Sequence, residues 1–314
     1  MLLFDLSDSY VWDFWTAAEG PQTHLFFLHA ARALQDPELR HDHARVGHAV
    51  SEDLKNWQRV GHPVSPVEGF DDLATWTGSC HRVGSRWLML LTGRSYAEAG
   101  RVQRVGLAWS EDLLTWRHHD TLIDADPRWY ACWPTFPETH WRDPWLERAP
   151  DGTWHMLVTA RSASARAGAG VIGHATSLDL RHWQVQPPLS EPTGRFNWQE
   201  VVSVAEIDGR RVLLFCCLSD QMPGAAPGAG GIWWLRYGPP GSPIDIERAR
   251  RLTDESSYVG KVVRHQGADY FVAFRNTDAQ GDFVGGLTTP VRISWRGEEL
   301  VLEQSPSQAQ PDVD

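Results

Sequence analysis

Three segments of the chain, VGHAVSEDLKNW (46–57), VGLAWSEDLLTW (105–116) and IGHATSLDLRHW (172–183), share one pattern: apolar-Gly-x-Ala-x-Ser-x-Asp-Leu-x-x-Trp. Their serines, 51, 110 and 177, are spaced 59 and 67 residues apart. A long pattern recurring at a near-fixed period marks a repeat architecture. Physically it reads as a strand that ends in a turn. Ser and Asp side chains bond nearby backbone groups and hold the turn, while Leu and Trp fold back onto the sheet. Ser51, Asp53 and Trp57 are therefore expected to be structural. Trp57, Trp116 and Trp183 should occupy equivalent buried places. His48 has Leu107 as its counterpart in the second copy, so packing is its expected role.

A second element occurs five times. Gly-containing turns lead into apolar runs at 19–30, 83–93, 150–160, 207–217 and 265–274. Each reads as a hairpin entering a strand rich in aromatic and aliphatic residues. Five units in 314 residues give about 63 residues each, the size of a four-stranded blade. The only helical pattern is a short one near 31–39. The fold class expected is all-β: a single five-bladed β-propeller of four-stranded blades over residues 1–302. A polar tail, 303–314, is expected to fray. MPGAAPGAGG (222–231) lies inside the fourth unit and reads as an inter-strand loop.

The net charge of −11 argues against nucleic acid or an anionic membrane as a partner, since either calls for a basic stripe. The N-terminal MLLFDLSDSYVWDF lacks a basic region and a sustained apolar core, so no signal peptide is expected. No run reaches membrane-spanning length. Cys80, Cys132, Cys216 and Cys217 show no metal or redox spacing, which fits small buried side chains in a reducing compartment. A cytoplasmic location, no metal and no cofactor are the expectations. The sequence leaves the oligomeric state open.

In a propeller the innermost strand of each blade lines the central channel. Those strands are placed near 10–17, 76–83, 141–148, 198–206 and 257–264. Three carry a carboxylate early: Asp13 in YVWDFW, Asp143 in HWRDPW and Glu200 in NWQEVV. Equivalent positions point to one mouth, so the three acids should converge. Their apolar neighbours imply partial burial, a cost that needs a partner or a function to offset it. Of the 17 tryptophans, Trp12, Trp15, Trp76 and Trp198 are among those at or near inner-strand starts, where an indole can wall a sugar ring as readily as pack a blade. Tyr258 and Lys261 open the fifth inner strand and are placed to line the channel.

At these residues the chain resembles glycoside hydrolase family 32, the invertases, inulinases and levanases. VGHAVSEDLKNW resembles that family's Gly-His-Ala-x-Ser-x-Asp-Leu segment, and WRDPW its Arg-Asp-Pro motif. TWTGSC (75–80) resembles its Phe-Ser-Gly-Ser segment, and QEVVSVAEIDG (199–209) has the frame of its Glu-Cys-Pro motif. VWDFW is closer to the Val-Trp-Asp-x-Trp of the related family 68 levansucrases. The resemblance spans about 10–210 by motif. It implies a retaining β-fructofuranosidase, with fructosyl transfer open to it. Asp13 would be the nucleophile, Asp143 the transition-state stabiliser paired with Arg142, and Glu200 the general acid/base. Trp76 and Ser79 match the fructose-contacting segment, and His29 is a candidate for reaching a hydroxyl.

The chain also departs from the family pattern. Trp12-Asp13-Phe14-Trp15 replaces Asn-Asp-Pro-Asn, and Val201-Val202 replaces Cys-Pro. The family's C-terminal β-sandwich is not expected, because the fifth unit runs nearly to the end. Sucrose, short fructo-oligosaccharides, a difructose anhydride and phosphorylated sugars all remain open as substrates. Two rival readings stand beside the fructosidase. One is an inverting arabinofuranosidase or xylosidase like those of family 43, and the other a non-catalytic sugar-binding propeller.

Overall fold

The computed structural model describes residues 2–164 and 167–303. Its strands form five sheets in a ring, a five-bladed β-propeller. The inner strands are Ser9–Glu19, Ala74–Val83, Trp141–Arg148, Glu200–Ile207 and Ser257–His265, close to the spans expected. Each pairs through a tight turn with the strand that follows it. At Asp208-Gly209 and Gln266-Gly267 both turn residues have positive φ. That is the mirror-image turn whose twist matches a hairpin.

Blades one to four have four strands each, in sequential order. The fifth is built differently, as a six-stranded sheet. Leu287–Thr288 and Val291–Arg296 both pair with Ala268–Arg275, and Pro290, which has no N–H to donate, lies between them. Glu299–Leu302 then pairs with Val291–Arg296, and Leu2–Phe4 pairs with Leu287–Thr288. The first strand of the chain thus closes the ring on the last blade. The expected tail, 303–314, lies outside the described residues beyond Glu303.

The repeated pattern has a common geometry. Ser51, Ser110 and Ser177 each donate to the aspartate two residues on, at 3.0, 3.0 and 3.2 Å. Each aspartate accepts two backbone N–H groups of its own turn. Leu54, Leu113 and Leu180 all sit in the left-handed region, at φ 58°, 62° and 62°. The repeated glycine is demanded by an aromatic ring. A Cβ at Gly47 or Gly106 would lie 2.5 Å from the ring of Phe27 or Phe70, and one at Gly173 would lie 2.7 Å from Trp141. Trp116 is buried, whereas Trp57 and Trp183 are half-buried. All three pack against the core as structural residues.

His48 is packed, as its repeat position implies, but it is also bonded. Its Nε2 lies 3.0 Å from His24 Nδ1, and blade three repeats the arrangement with His174 and His155, also at 3.0 Å. One neutral ring donates and the other accepts. Burial pushes His48 down to about 3 and His174 to about 4, and it lowers His24 and His155 as well. All four therefore take up protons more readily unfolded than folded. Their contribution to stability is full above about pH 6.5 and falls as pH drops toward 4, by up to about 1.4 kcal/mol per pH unit for each proton. His48→Leu, which copies Leu107, is expected to flatten the acid side of the stability curve. Urea unfolding of both proteins from pH 7 to 4.5 tests this, and parallel slopes would refute it.

Candidate active site

Every inner strand slips register where it meets one mouth of the channel. The shifts fall between Val11 and Phe14, Trp76 and Gly78, Arg142 and Trp145, Glu200 and Ser203, and Tyr258 and Lys261. A bulge bends a strand and re-aims its side chains. Asp143, Val201 and Val259, the first bulged residues of blades three to five, have φ of 56°, 54° and 51°. Such strain in non-glycine residues persists where surrounding structure enforces it. Five aligned bulges gather polar side chains around a cavity of about 650 Å³, with Asp13, Asp143 and Glu200 in its wall.

The acids converge, though not from equivalent positions. Asp13 is the second bulged residue of its strand and Asp143 the first, while Glu200 precedes the bulge, paired with Cys216. Each therefore has a different environment. Asp13 accepts a hydrogen bond from Thr77 Oγ1. Burial pushes its carboxyl up to about 7, helped by the Asp143 charge and then Glu200, against the Thr77 bond and Lys261. Asp143 Oδ2 accepts from Thr159 Oγ1 at 2.8 Å and from Val201 N–H at 3.3 Å, and its own N–H donates to Thr92 Oγ1 at 2.9 Å. Burial raises Asp143 to about 6, with Arg142 pulling the other way.

Arg142 organises the charge. It is buried, donates to Glu200 Oε1 at 2.5 Å, and places Nε 3.4 Å from Asp143 Oδ2. Its Nη1 donates to Gln103 Oε1 at 3.0 Å and to His140 Nδ1 at 2.9 Å. Burial, then the charges of Arg142 and Arg161, hold His140 neutral, so its Nδ1 can accept. Tyr258 donates its hydroxyl to the other oxygen of Glu200. Glu200 thus accepts at both oxygens, Asp143 is fixed by three groups, and Asp13 meets one hydroxyl.

Of the other candidates, Trp12, Trp76, Arg142 and Tyr258 line the cavity. Trp76 is oriented by its Nε1 bond to His41 O at 2.7 Å. Trp198 lines an adjoining cavity of about 420 Å³ that shares Glu138 and His140 with the first. Three candidates are elsewhere. Trp15, only 2% exposed, stacks on Phe26 in the core, because it lies beyond the bulge on the packing face. His29 faces His62 and Phe27 and is held outside the cavity. Ser79, buried, bonds His81 Nε2 at 2.8 Å beyond the register shift, and Thr77 takes the place by the acids.

Sequence reading missed several wall residues. The 31–39 pattern folds as two 3₁₀ helices, Arg32–Leu34 and Pro37–His43, and the second brings Glu38, Arg40 and His41 to the rim. Its start is signalled by Asp36, whose side chain accepts from Glu38 N–H, followed by Pro37. Gln103, Asp220, Gln221, Asn276 and Asp282 complete the wall and belong to no motif. Among the described residues, no group of three or more His, Cys, Asp or Glu side chains could hold a metal ion. No described helix is long and apolar enough to cross a membrane.

Residues 22–228 match the glycosyl hydrolases family 32 N-terminal domain. Over 148 residues the chain is 35% identical to the β-fructofuranosidase insoluble isoenzyme 5 of Oryza sativa subsp. japonica, covering 44% of this chain and 24% of that protein. It is 29% identical over 167 residues to a bifunctional 6(G)-fructosyltransferase/2,1-fructan:2,1-fructan 1-fructosyltransferase of Allium cepa, covering 50% of this chain and 26% of the relative. The match thus spans about a quarter of the length of these curated relatives. Among solved structures, the inulosucrase of Halalkalicoccus jeotgali bound to kestose superposes with a TM-score of 0.73 at 19% identity, over 95% of this chain and 87% of that one. Fructan 1-exohydrolase IIa of Cichorium intybus gives a TM-score of 0.73 at 20% identity, over 97% and 60%. These two likenesses establish the fold.

Proposed function

Because the chain belongs to glycosyl hydrolase family 32, we propose that its acid-lined cavity cleaves β-fructofuranosides with retention of configuration and can pass the fructosyl group to an acceptor sugar. The observation that carries this reading is the trio of carboxylates at one mouth, each in a different hydrogen-bonding state, two of them tied to Arg142 and Asp13 to the Thr77 hydroxyl. Asp13, the least committed acid, attacks the anomeric carbon of the fructosyl unit. Glu200 protonates the departing glycosidic oxygen and then takes a proton from the incoming water or acceptor hydroxyl. Asp143, locked by Thr159 and the Val201 N–H, binds ring hydroxyls and supports the positive charge that develops on the sugar.

The named activities of the rice and onion relatives support a fructosyl substrate. A cavity of about 650 Å³ suits a di- or trisaccharide. The adjoining cavity walled by Trp198 shares Glu138 and His140 with the first, and Arg142 packs over the Trp198 ring. In this reading it receives the leaving or acceptor sugar. Sucrose and short fructo-oligosaccharides are the proposed substrates.

The test is to incubate the purified protein with sucrose, 1-kestose, levanbiose and an aryl arabinofuranoside, identify the products, and follow the first-formed anomer by NMR. The expected result is β-fructofuranose released first, with transfer trisaccharides appearing at high sucrose. Inverted product, or arabinose as the main release, would replace this reading with that of an inverting furanosidase. Tight sugar binding without turnover would leave a binding protein.

A further inference from the structure

Arg142 holds one oxygen of Glu200 and the Tyr258 hydroxyl the other. On the Tyr258 flank two side-chain amides stand in the cavity wall. Gln221 ends the short 3₁₀ turn Ser219–Gln221 of blade four, and Asn276 follows Ala268–Arg275 of blade five. Their partners fix which way each amide faces. The Leu218 N–H can only donate, so the Gln221 atom 3.1 Å from it is Oε1. The Tyr258 hydroxyl lies 3.5 Å from that same oxygen. Nε2 of Gln221 is left without a partner among the described residues, and protein does not seal it off. Asn276 is the mirror case. The Glu255 carbonyl can only accept, so the atom 3.0 Å from it is Nδ2, and Oδ1 is the free end.

One residue sets both amides. The Glu255 carbonyl takes Asn276, while its carboxylate accepts Ser219 N–H at 2.7 Å, Ser219 Oγ at 2.9 Å and Gly228 N–H at 3.0 Å. These bonds pin the turn that carries Gln221, whose own N–H and carbonyl are bonded to Leu218 O and Asn197 N–H. The wall therefore offers the cavity a preorganised donor and a preorganised acceptor. A sugar hydroxyl both donates and accepts, so this pair suits sugar hydroxyls. Gln221 reaches the acids through Tyr258 and Glu200, and Glu200 is the acid that meets the glycosidic oxygen. The sugar beyond that oxygen is the one these amides face. Trp198 supplies an apolar surface on the Arg142 flank, and the Tyr258 flank supplies polar contacts.

We propose that Gln221, through Nε2, and Asn276, through Oδ1, bind hydroxyls of the leaving or acceptor sugar and so determine which sugars can serve as either. The proposal rests on reading Glu200 as the general acid/base. Its test compares sucrose with β-fructosyl fluoride, which has no leaving sugar. Gln221→Glu keeps an oxygen for Leu218 N–H but has no N–H to give, and Asn276→Ala removes the acceptor. Each is expected to lower the sucrose-to-fluoride ratio of kcat/KM about tenfold, the scale of one hydrogen bond. The partition of the fructosyl group between sucrose and water should shift toward water, a readout in which both acceptors share the same base. Equal losses with both substrates, or an unchanged ratio and partition, overturn the proposal. So does recovery in Gln221→Glu of what Gln221→Leu loses, since the amide would then only hold its turn. Calorimetry in the Asp13→Asn background supplies an arm without turnover: adding Gln221→Glu should weaken sucrose about tenfold and leave fructose within about twofold. If the wild type cleaves no fructoside, the functional reading falls and calorimetry alone decides. Unweakened sucrose, or no sugar binding at all, then overturns the proposal too.

Discussion

Asp13→Asn is expected to lose turnover on the order of 10⁴- to 10⁶-fold, the scale of removing a covalent nucleophile, while the fold is kept or strengthened. Asparagine fills the same volume and still accepts the Thr77 hydroxyl bond. The stability effect has a definite sign. Asp13 is pushed up to about 7 in the folded chain, well above the ordinary aspartate value, so the unfolded state ionises first and wild-type stability falls as pH rises through that window. The variant escapes this cost. Its advantage should open above about pH 4 and level off past about pH 7. Glu200→Gln serves as the contrast, with an expected loss of about 10²- to 10⁴-fold for a general acid/base. β-Fructosyl fluoride separates the two roles, because fluoride leaves without a proton. It should restore the first step in Glu200→Gln and leave Asp13→Asn inactive. Turnover within tenfold of wild type would remove Asp13 from the mechanism.

What could be read from the sequence were the features set by local chemistry. The Ser-x-Asp-Leu turn is self-contained, since the serine, the aspartate and the left-handed leucine are all satisfied within six residues. Three copies therefore announce the blades without any knowledge of tertiary contacts. Hairpin glycines mark the second strands in the same way. The acids were found because an aspartate or glutamate beside tryptophan at the start of a channel strand is costly anywhere else. Their relative frame was not readable, because a bulge inserts a residue without changing the apolar pattern on either side. That one-residue uncertainty put Trp15 and Ser79 among the candidates, whereas the structure buries Trp15 in the core and gives the place beside Asp13 to Thr77. The cavity rim was harder still. Glu38, His41, Gln221 and Asn276 come from connections whose course is fixed by distant contacts, such as Asn276 N–H to Ser256 O at 2.8 Å. Ring closure by Leu2–Phe4 pairs residues more than 280 positions apart, a choice no local pattern encodes.

Arg142→Met is expected to be the most destabilising single change to the site, costing about 3–5 kcal/mol of stability near neutral pH and at least about 100-fold in kcat/KM. The guanidinium serves four partners at once: Glu200, Asp143, Gln103 and His140. Methionine fills the volume and satisfies none of them. Two carboxylates then share a buried pocket with no cation between them, and Asp143, already raised to about 6 with Arg142 present, is driven higher. The sign of the pH dependence follows. The lost stability should be largest above pH 7 and shrink toward pH 5, as protonation relieves the repulsion that Arg142 had cancelled. Arg142→Lys should not rescue catalysis. A single ammonium cannot reach Glu200 and Asp143 while also donating to Gln103 and His140, and freeing His140 loosens the wall of the adjoining cavity. Urea unfolding of both variants between pH 5 and 8, alongside kinetics at each pH, would measure this. Wild-type stability for Arg142→Met at pH 8 would mean the acids do not depend on the guanidinium, and the assignment of separate roles to Asp13, Asp143 and Glu200 would lose its electrostatic basis.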